Sequence, residues 1–446
     1  MPGGLLTDLY ELNMAASYLR RGMTGPATFS LFVRRLPAER GFLVAAGLED
    51  CLQFLQEFSL TTEDLEYLRR TQGYGEDVLR ALARLRFTGE VRAVPEGRVV
   101  FAGEPLLEVT APVAEAQLAE TVLLNHVTFQ TSVATKAARC VLAAAGAQVV
   151  DFAFRRTQGL EAGLAVARAS AIAGFSATSN VEAARRYGLT AAGTMAHSFI
   201  EAFPSEEAAF TAFAQDFPQK TTFLVDTYDT AQGVRTAIEV ARRLGVPGPV
   251  GVRLDSGDLA GLARLARGML DGAGLPGARI FASGGLDEWA IAELAAGGAP
   301  IDAYGVGTKM GVSADAPYLD TAYKLVAYAG RPVMKLSPGK VTRPGAKQVF
   351  RGPGADLLTL HGEPAPAGWQ PLLSPVMRGG HRVAGPEPLG QARQRCAADL
   401  AWLPAPARRL RAPEPVPVRV SPRLGYLQDQ LARSLAGGNQ APMSVD

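Results

Sequence analysis

Hydrophobic and polar positions change rhythm twice along the chain. Residues 5–22 carry apolar side chains at helical spacing behind Thr7, which reads as a cap, with Asp8 in the first turn. Residues 28–33 and 41–45 alternate like strands, and 48–90 read as mostly helical. Between 91 and 110, short strands are broken by Pro95-Glu96-Gly97 and by Ala102-Gly103-Glu104-Pro105, both turn chemistry. A long helix is predicted over 113–144, with Leu118, Val122, Phe129, Val133 and Ala137 on one face. From Gln148 the rhythm becomes regular. Strand-like runs at 149–154, 190–193, 222–226, 250–254, 279–282 and 301–306 alternate with helical runs at 161–173, 182–187, 205–217, 230–244, 259–271 and 287–295. Such alternation predicts βα units and a parallel sheet. Residues of possible chemistry end nearly every strand, which favours a barrel. In an open doubly wound sheet they would gather at one switch point. Past Thr308, strand signals at 323–328, 333–336 and 348–350 lack helical partners and read as a return to the first sheet. Residues 401–423 are dense in proline and read as an extended surface strap, and Gly437–Asp446 as disordered. The expected fold is therefore α/β. An irregular TIM-like α/β barrel occupies 113–310. An α/β sandwich domain is formed by the N-terminal segment 1–112 and the post-barrel segment 311–446, which carries the Pro-rich tail.

Composition narrows the classes. A length of 446 residues suggests two or three domains, and 48% hydrophobic residues can bury a large core. Lys+Arg 45 against Asp+Glu 43 leaves a net charge of +2, which argues against nucleic acid or a membrane surface as partner. Cys51, Cys140 and Cys396 are far apart and form no CxxC pair, so neither a disulfide framework nor a zinc site is expected, and a reducing cytoplasm fits. Asp8 and Glu11 stand where a signal peptide would need an apolar stretch, and no apolar run reaches membrane-spanning length.

The candidate chemistry centres on Gly193-Thr194-Met195-Ala196-His197-Ser198. Of the four histidines (126, 197, 361 and 381), only His197 sits where a predicted strand opens into a loop. A lone histidine is most often structural; its place at a barrel mouth with arginines near raises a catalytic role. Phe154-Arg155-Arg156 and Arg253-Leu254-Asp255-Ser256-Gly257-Asp258 also end strands. An arginine fork there can clamp a carboxylate or phosphate. The plainer alternatives are a surface arginine pair, an Arg253–Asp255 salt bridge and an Asp258 helix cap. Ser283-Gly284-Gly285 and Gly305-Val306-Gly307-Thr308 end the last two strands, where backbone N–H groups can cradle a phosphate. Residue reasoning alone reaches a barrel enzyme that handles a phosphosugar.

The run of motifs resembles the nicotinate phosphoribosyltransferases, a type II phosphoribosyltransferase family. The matching stretches include Leu5-Leu6-Thr7-Asp8-Leu9-Tyr10, Ala46-Gly47-Leu48-Glu49, Phe154-Arg155-Arg156-Thr157-Gln158-Gly159, Thr178-Ser179-Asn180, Gly193–Ser198, Val225-Asp226-Thr227-Tyr228-Asp229-Thr230, Arg253–Asp258, Ser283-Gly284-Gly285-Leu286-Asp287-Glu288 and Gly305–Thr308, in family order over 5–351. The resemblance implies transfer of a phosphoribosyl group from phosphoribosyl pyrophosphate to nicotinate, coupled to ATP hydrolysis through a phosphohistidine that His197 matches. It implies pyridine and carboxylate contacts from Tyr10, Arg155, Thr194 and Arg253, with Phe152 stacking on the ring. Ser179 and Ser198 also fall in substrate-binding segments. Gly284, Gly285, Gly305, Gly307 and Thr308 match the 5-phosphate site. Mg²⁺ is the implied cofactor, with Asp255 as candidate ligand and water supplying most of the rest. The implied assembly is a homodimer with shared active sites, Tyr10 coming from the neighbour.

Ala153 stands where the family usually has glycine, and Asp151 where it often has glutamate. The nearest rival is a nicotinamide-using relative, which carries an aspartate where Ser179 stands; a carboxylate there would repel nicotinate. A quinolinate-using enzyme needs more cations and lacks the histidine motif. Outside the class, a phosphosugar aldolase or isomerase would need a lysine or general base in the barrel, and Lys309 is the only lysine near a strand end. A non-catalytic phosphoribosyl sensor would not need His197.

Overall fold

The computed structural model describes residues 3–246, 250–337 and 342–436. The chain divides into two compact units, one of residues 1–132 with 318–446 and one of residues 133–317.

In the first unit the central strand Pro26–Val33 lies antiparallel between Pro105–Pro112 and Thr321–Tyr328. A seven-stranded sheet extends from there through Glu90–Ala93 to Ser374–Arg378 and His381–Arg382 on one side, and to Arg331–Pro332 on the other. The inward residues Phe29, Leu31, Leu107, Val109 and Tyr323 form its core, with the Phe29 and Tyr323 rings stacked at 4.7 Å. Burying each such side chain contributes roughly 1.5–3 kcal/mol. Lys347–Gly352, Ala355–Leu360, Gln370–Pro371 and Val418–Val420 make a separate four-stranded sheet. Its charged centre is Arg351, which donates to both oxygens of Asp356 at 3.1 and 2.7 Å and to Asp399 at 2.8 Å, and whose guanidinium lies 4.3 Å from the Trp402 ring. Glu104 is fully buried beside this group. Burial, then the Asp356 charge, pushes its carboxyl well above the usual range.

The second unit carries a six-stranded parallel sheet in the order Ala177–Thr178, Gln148–Asp151, Ala303–Val306, Arg279–Ala282, Gly251–Leu254, Thr222–Leu224. Its strands are short and apolar because the helices between them, such as Leu160–Ala173 and Thr230–Leu244, bury them. The unit's first strand pairs with its last, Val150 opposite Gly305, the neighbour relation that a closing barrel requires. Closure is incomplete. Beyond Ala177–Thr178 the sheet gains only a single bridge, Thr178 to Ala191, and no described pair joins that bridge to Thr222–Leu224.

Several local expectations need correction. The strand expected over 190–193 is that single bridge, since Gly193 and Thr194 give it no apolar alternation. The first helix is Leu9–Arg20 with Asp8 at its N-cap; the Thr7 hydroxyl donates to Glu11 instead. The long helix is broken at Ala119 into Val113–Leu118 and Glu120–Ala143. Of the return strands, 321–328 does join the first sheet, 333–336 is not a strand, and 348–350 belongs to the four-stranded sheet. The proline-dense stretch is no simple strap: Ala405–Arg408 is a 3-10 turn, Val418–Val420 a strand, and Pro422 opens the helix Pro422–Ala436 behind Ser421, whose hydroxyl accepts the Leu424 N–H at 3.1 Å. The expectation for Gly437–Asp446 lies outside the described residues. The three cysteines are buried and free.

Removing the Arg351 charge leaves Asp356, Asp399 and Glu104 in the interior without it. Arg351→Met is expected to cost about 3–5 kcal/mol, read as a lower urea midpoint.

Candidate active site

The site grows from the strand ends of the second unit. Arg253 is the penultimate residue of Gly251–Leu254, and its side chain is only 12% exposed. Its Nε donates to Ser283 Oγ at 3.0 Å. One terminal nitrogen donates to Thr194 Oγ1 at 2.8 Å and to the Met195 carbonyl at 3.0 Å, and the other to Asp255 Oδ1 at 3.1 Å. Three strand-end segments thus meet on one guanidinium, a rigid fork suited to several acceptors at once. The same guanidinium lies 5.8 Å from the Phe152 ring, which tilts against Phe281 at 5.6 Å. Phe152 can lie there because Gly305 has no side chain: a Cβ on Gly305 would meet that ring at 2.8 Å.

Asp255 accepts a hydrogen bond from the Ser283 hydroxyl at Oδ1, and its Oδ2 lies 3.9 Å from His197 Nε2. Burial acts to raise its pKa, but the Ser283 hydrogen bond, the Arg253 guanidinium and His197 outweigh it, and the carboxyl is held below the usual range. His197 opens the short helix His197–Glu201, and its Nδ1 is 3.2 Å from the Thr227 hydroxyl. Asp226 was not singled out from the sequence as a site residue, yet it joins this group. Its Oδ2 accepts the Asp255 N–H at 2.8 Å and the Ser256 hydroxyl at 2.9 Å, while its Oδ1 is buried with no hydrogen-bond partner among the described residues. An orphaned carboxylate oxygen near Asp255 fits a hard divalent cation, and Mg²⁺ characteristically takes one or two carboxylates and fills its shell with water and phosphate oxygens. No larger cluster of three or more His, Cys, Asp or Glu residues suits a metal among the described residues.

Gly284 and Gly285 both have positive φ, +93° and +66°, and a Cβ on Gly284 would sit 1.8 Å from the Asp255 carbonyl oxygen. A Cβ on Gly307 would lie 3.0 Å from the Phe152 carbonyl oxygen, and Thr308 begins the turn of helix Thr308–Gly311, exposed. Ser179 is half-buried, with its N–H donating to the Asp151 carbonyl at 2.8 Å. The Asp151 carboxylate is in turn buried, accepting from Ala153 N–H at 2.8 Å and Thr178 Oγ1 at 2.7 Å. Burial pushes that carboxyl up against those two hydrogen bonds. A cavity of about 660 Å³, lined by Val150, Phe152, Ala191, Thr194, Phe281 and Ala303 among others, adjoins the ring of Phe152.

Not every candidate meets at this point. Arg155 lies on the 3-10 turn Phe154–Arg156, exposed and with no ion pair among the described residues. Ser198 is exposed. Asp258 takes the plainer role, capping helix Leu259–Gly272 through the Gly261 N–H at 3.1 Å. Tyr10 belongs to the first unit; it is 48% exposed, and burial together with the Glu120 and Glu11 charges raises its phenol strongly. That unit also holds a cavity of about 230 Å³ lined by Arg34, Arg35, Arg343 and Lys347, a concentration of cations dispersed over three hundred residues of sequence.

Comparison with known proteins now decides the family. Three family models match in order along the chain: Nicotinate phosphoribosyltransferase N-terminal domain over residues 5–128, Quinolinate phosphoribosyl transferase C-terminal domain over 133–322, and Nicotinate phosphoribosyltransferase C-terminal domain over 363–428. The pncB2 nicotinate phosphoribosyltransferase of Mycobacterium tuberculosis is 49% identical over 95% of this chain and 92% of its own length. The chain belongs to the nicotinate phosphoribosyltransferase family. The enzyme of that name from Bacillus subtilis is 47% identical over 78% of this chain and 72% of its own. The crystal structure of human nicotinic acid phosphoribosyltransferase superposes with a TM-score of 0.85 at 31% identity, covering 95% of this chain and 99% of that one. The α/β fold expected from the sequence is the fold of this family. No helix among the described residues is long and apolar enough to cross a membrane.

Glu206, at the start of helix Glu206–Asp216, has a buried Oε1 with no hydrogen-bond partner among the described residues. Burial and then the Asp229 charge push its carboxyl up to about 7. Between about pH 4.3 and that value the folded chain holds a proton that the unfolded chain has lost. Stability from this group therefore falls as pH rises through the window. Glu206→Gln is expected to flatten that slope, measured as thermal midpoint against pH.

Proposed function

We propose that this chain forms nicotinate mononucleotide and pyrophosphate from nicotinate and phosphoribosyl pyrophosphate, with ATP and water converted to ADP and phosphate. The observation that carries this reading is the meeting of Thr194, Asp255 and Ser283 on the Arg253 guanidinium beside Phe152, in a chain of this family.

The pyridine nitrogen of nicotinate attacks C1 of the phosphoribosyl donor. The N–C1 bond forms, the C1–O bond to pyrophosphate breaks, and its electron pair leaves with the pyrophosphate. The nitrogen has no proton to lose, so no general base is required. Catalysis is alignment of nitrogen with C1 and stabilisation of charge on the leaving group. Phe152 offers an aromatic face for the ring. Arg253 and Arg155 supply positive charge for the carboxylate and phosphates, and uncharged Ser179 leaves nicotinate unopposed. The glycine turns at 284–285 and 305–307 leave backbone N–H groups accessible to the 5-phosphate next to Thr308. Asp255 and Asp226 would hold Mg²⁺, which supplies charge neutralisation to the pyrophosphate. His197 is the group for phosphorylation by ATP; a phosphoryl group there adds negative charge beside Arg253 and Asp255, biasing how the site binds its substrates.

The assembly we infer is a homodimer with shared sites. The supporting feature is the apolar, outward side of the first helical segment, where Leu6, Leu9, Tyr10 and Met14 are all exposed.

Pyrophosphate release measured with nicotinate, nicotinamide and quinolinate, with and without ATP, tests the reading. Nicotinate is expected to be strongly preferred, with ATP raising the rate. His197→Ala is expected to abolish ATP hydrolysis while retaining some mononucleotide synthesis. Equal use of nicotinamide, or an unchanged ATPase in the variant, refutes it. For the dimer, Tyr10→Ala and Arg253→Ala chains are each expected to be nearly inactive, yet to regain activity when mixed under subunit exchange. No recovery despite demonstrated exchange would place Tyr10 within its own chain's site or outside any site.

A further inference from the structure

The second unit contains a buried set of charges that takes no direct part in the proposed chemistry. Lys136 and Arg139 stand one turn apart on helix Glu120–Ala143, both out of contact with solvent. Lys136 Nζ lies 2.6 Å from Glu288 Oε2 and 2.9 Å from Asp315 Oδ1. Arg139 Nε donates to Glu288 Oε1 at 2.9 Å. The Lys136–Glu288 contact is an ion pair by distance rather than an aligned hydrogen bond. Both cations lie over the Trp289 ring, at 4.4 and 5.4 Å. The Glu288 side chain is 0% exposed and that of Asp315 7%.

The two carboxylates come from different places, and those places matter. Glu288 opens helix Glu288–Ala296 directly after Ser283-Gly284-Gly285-Leu286-Asp287. Asp315 follows Gly305-Val306-Gly307 and helix Thr308–Gly311, in a tight turn where Ser313 has φ +47° and donates its hydroxyl to the Ala316 carbonyl at 2.8 Å. Lys136 is thus a single cation held between the continuations of both glycine-rich strand ends. A second tie runs in parallel. Lys309 Nζ lies 2.8 Å from Asp287 Oδ2, while Asp287 Oδ1 accepts the Ala290 N–H at 3.0 Å and caps the same helix.

We propose that Lys136 is a positioning residue for binding of the phosphoribosyl donor: it sets the spacing between the 283–287 and 305–308 loops by clamping Glu288 to Asp315. This rests on the reading of those loops as the 5-phosphate cradle. Without Lys136, Glu288 and Asp315 lose the cation that bridges them. Two like charges in a dry interior then repel, and the loops attached to them separate. Backbone donors that must converge on one phosphate do not tolerate that displacement. The pyridine ring, placed by Phe152 and Arg253, is outside the clamp.

Asp315 is the least buried member, so Asp315→Asn is the first variant to test, with Asp315→Glu as the charge-preserving control and Lys136→Met as the stronger lesion. Steady-state kinetics with nicotinate and phosphoribosyl pyrophosphate, and calorimetric titration with ribose 5-phosphate, give the readouts. In Asp315→Asn the KM for the donor is expected to rise roughly tenfold to a hundredfold, with the nicotinate KM and kcat within about twofold and ribose 5-phosphate binding weakened in step. Asp315→Glu should recover most of the loss. Donor and nicotinate KM moving together, or a lowered thermal midpoint with both KM values unchanged, would overturn the clamp and leave a purely structural ion cluster. If Lys136→Met does not fold, Asp315→Asn still decides. A wild-type chain that releases no pyrophosphate with nicotinate would instead overturn the functional reading beneath it.

Discussion

Arg253 is the interaction on which the second unit's mouth depends. A buried guanidinium is costly to leave unpaired, so it must find acceptors in several directions. Here they come from Thr194, Met195, Asp255 and Ser283, on three separate strand-end segments. The sheet brings those ends near one another; the guanidinium turns nearness into a defined geometry. This matters more because the sheet is not closed. Between Ala191 and Thr222–Leu224 no strand pairing among the described residues holds the wall, and the Arg253 bonds to Thr194 and Met195 tie that segment to the strand that carries the arginine.

The electrostatics around it are graded. Asp255 is kept ionised by Ser283, Arg253 and His197 against its burial. Asp226 braces the Asp255 backbone with one oxygen and leaves the other unpartnered. Glu206, on helix Glu206–Asp216, is pushed toward the neutral form by burial and Asp229. Asp255 and Asp226 thus leave one or two carboxylate oxygens for a cation.

Much of this was legible in the sequence because parallel strands buried on both faces leave unmistakable apolar runs, and strand-end motifs keep their residues contiguous. Arg253, Asp255 and the glycines fall into that class. Asp226 does not: its significance comes from the Asp255 N–H and an unpartnered oxygen, neither visible in Val225-Asp226-Thr227. The Arg34, Arg35, Arg343 and Lys347 cavity is hidden for the same reason, its members being joined only by folding. Proline misled in the C-terminal region. Pro404 and Pro413 lie between elements, Pro406 sits in the 3-10 turn Ala405–Arg408 and Pro422 begins a helix, so a density that suggested an extended strap marks the boundaries of helices Leu389–Trp402 and Pro422–Ala436. The strand expected at 190–193 is reduced to the single Thr178–Ala191 bridge, and among the described residues no strand pairs with its far side.

The contact of Gly284 with the Asp255 carbonyl has a mechanical consequence. Backbone meets backbone there with no side chain between them, at a spacing where a single added carbon would lie 1.8 Å from the oxygen. Side-chain contacts yield by changing rotamer; this one has no rotamer to change. The Asp255 and Gly284 turns must therefore travel as one body, and any opening or closing of the mouth has to be taken up elsewhere.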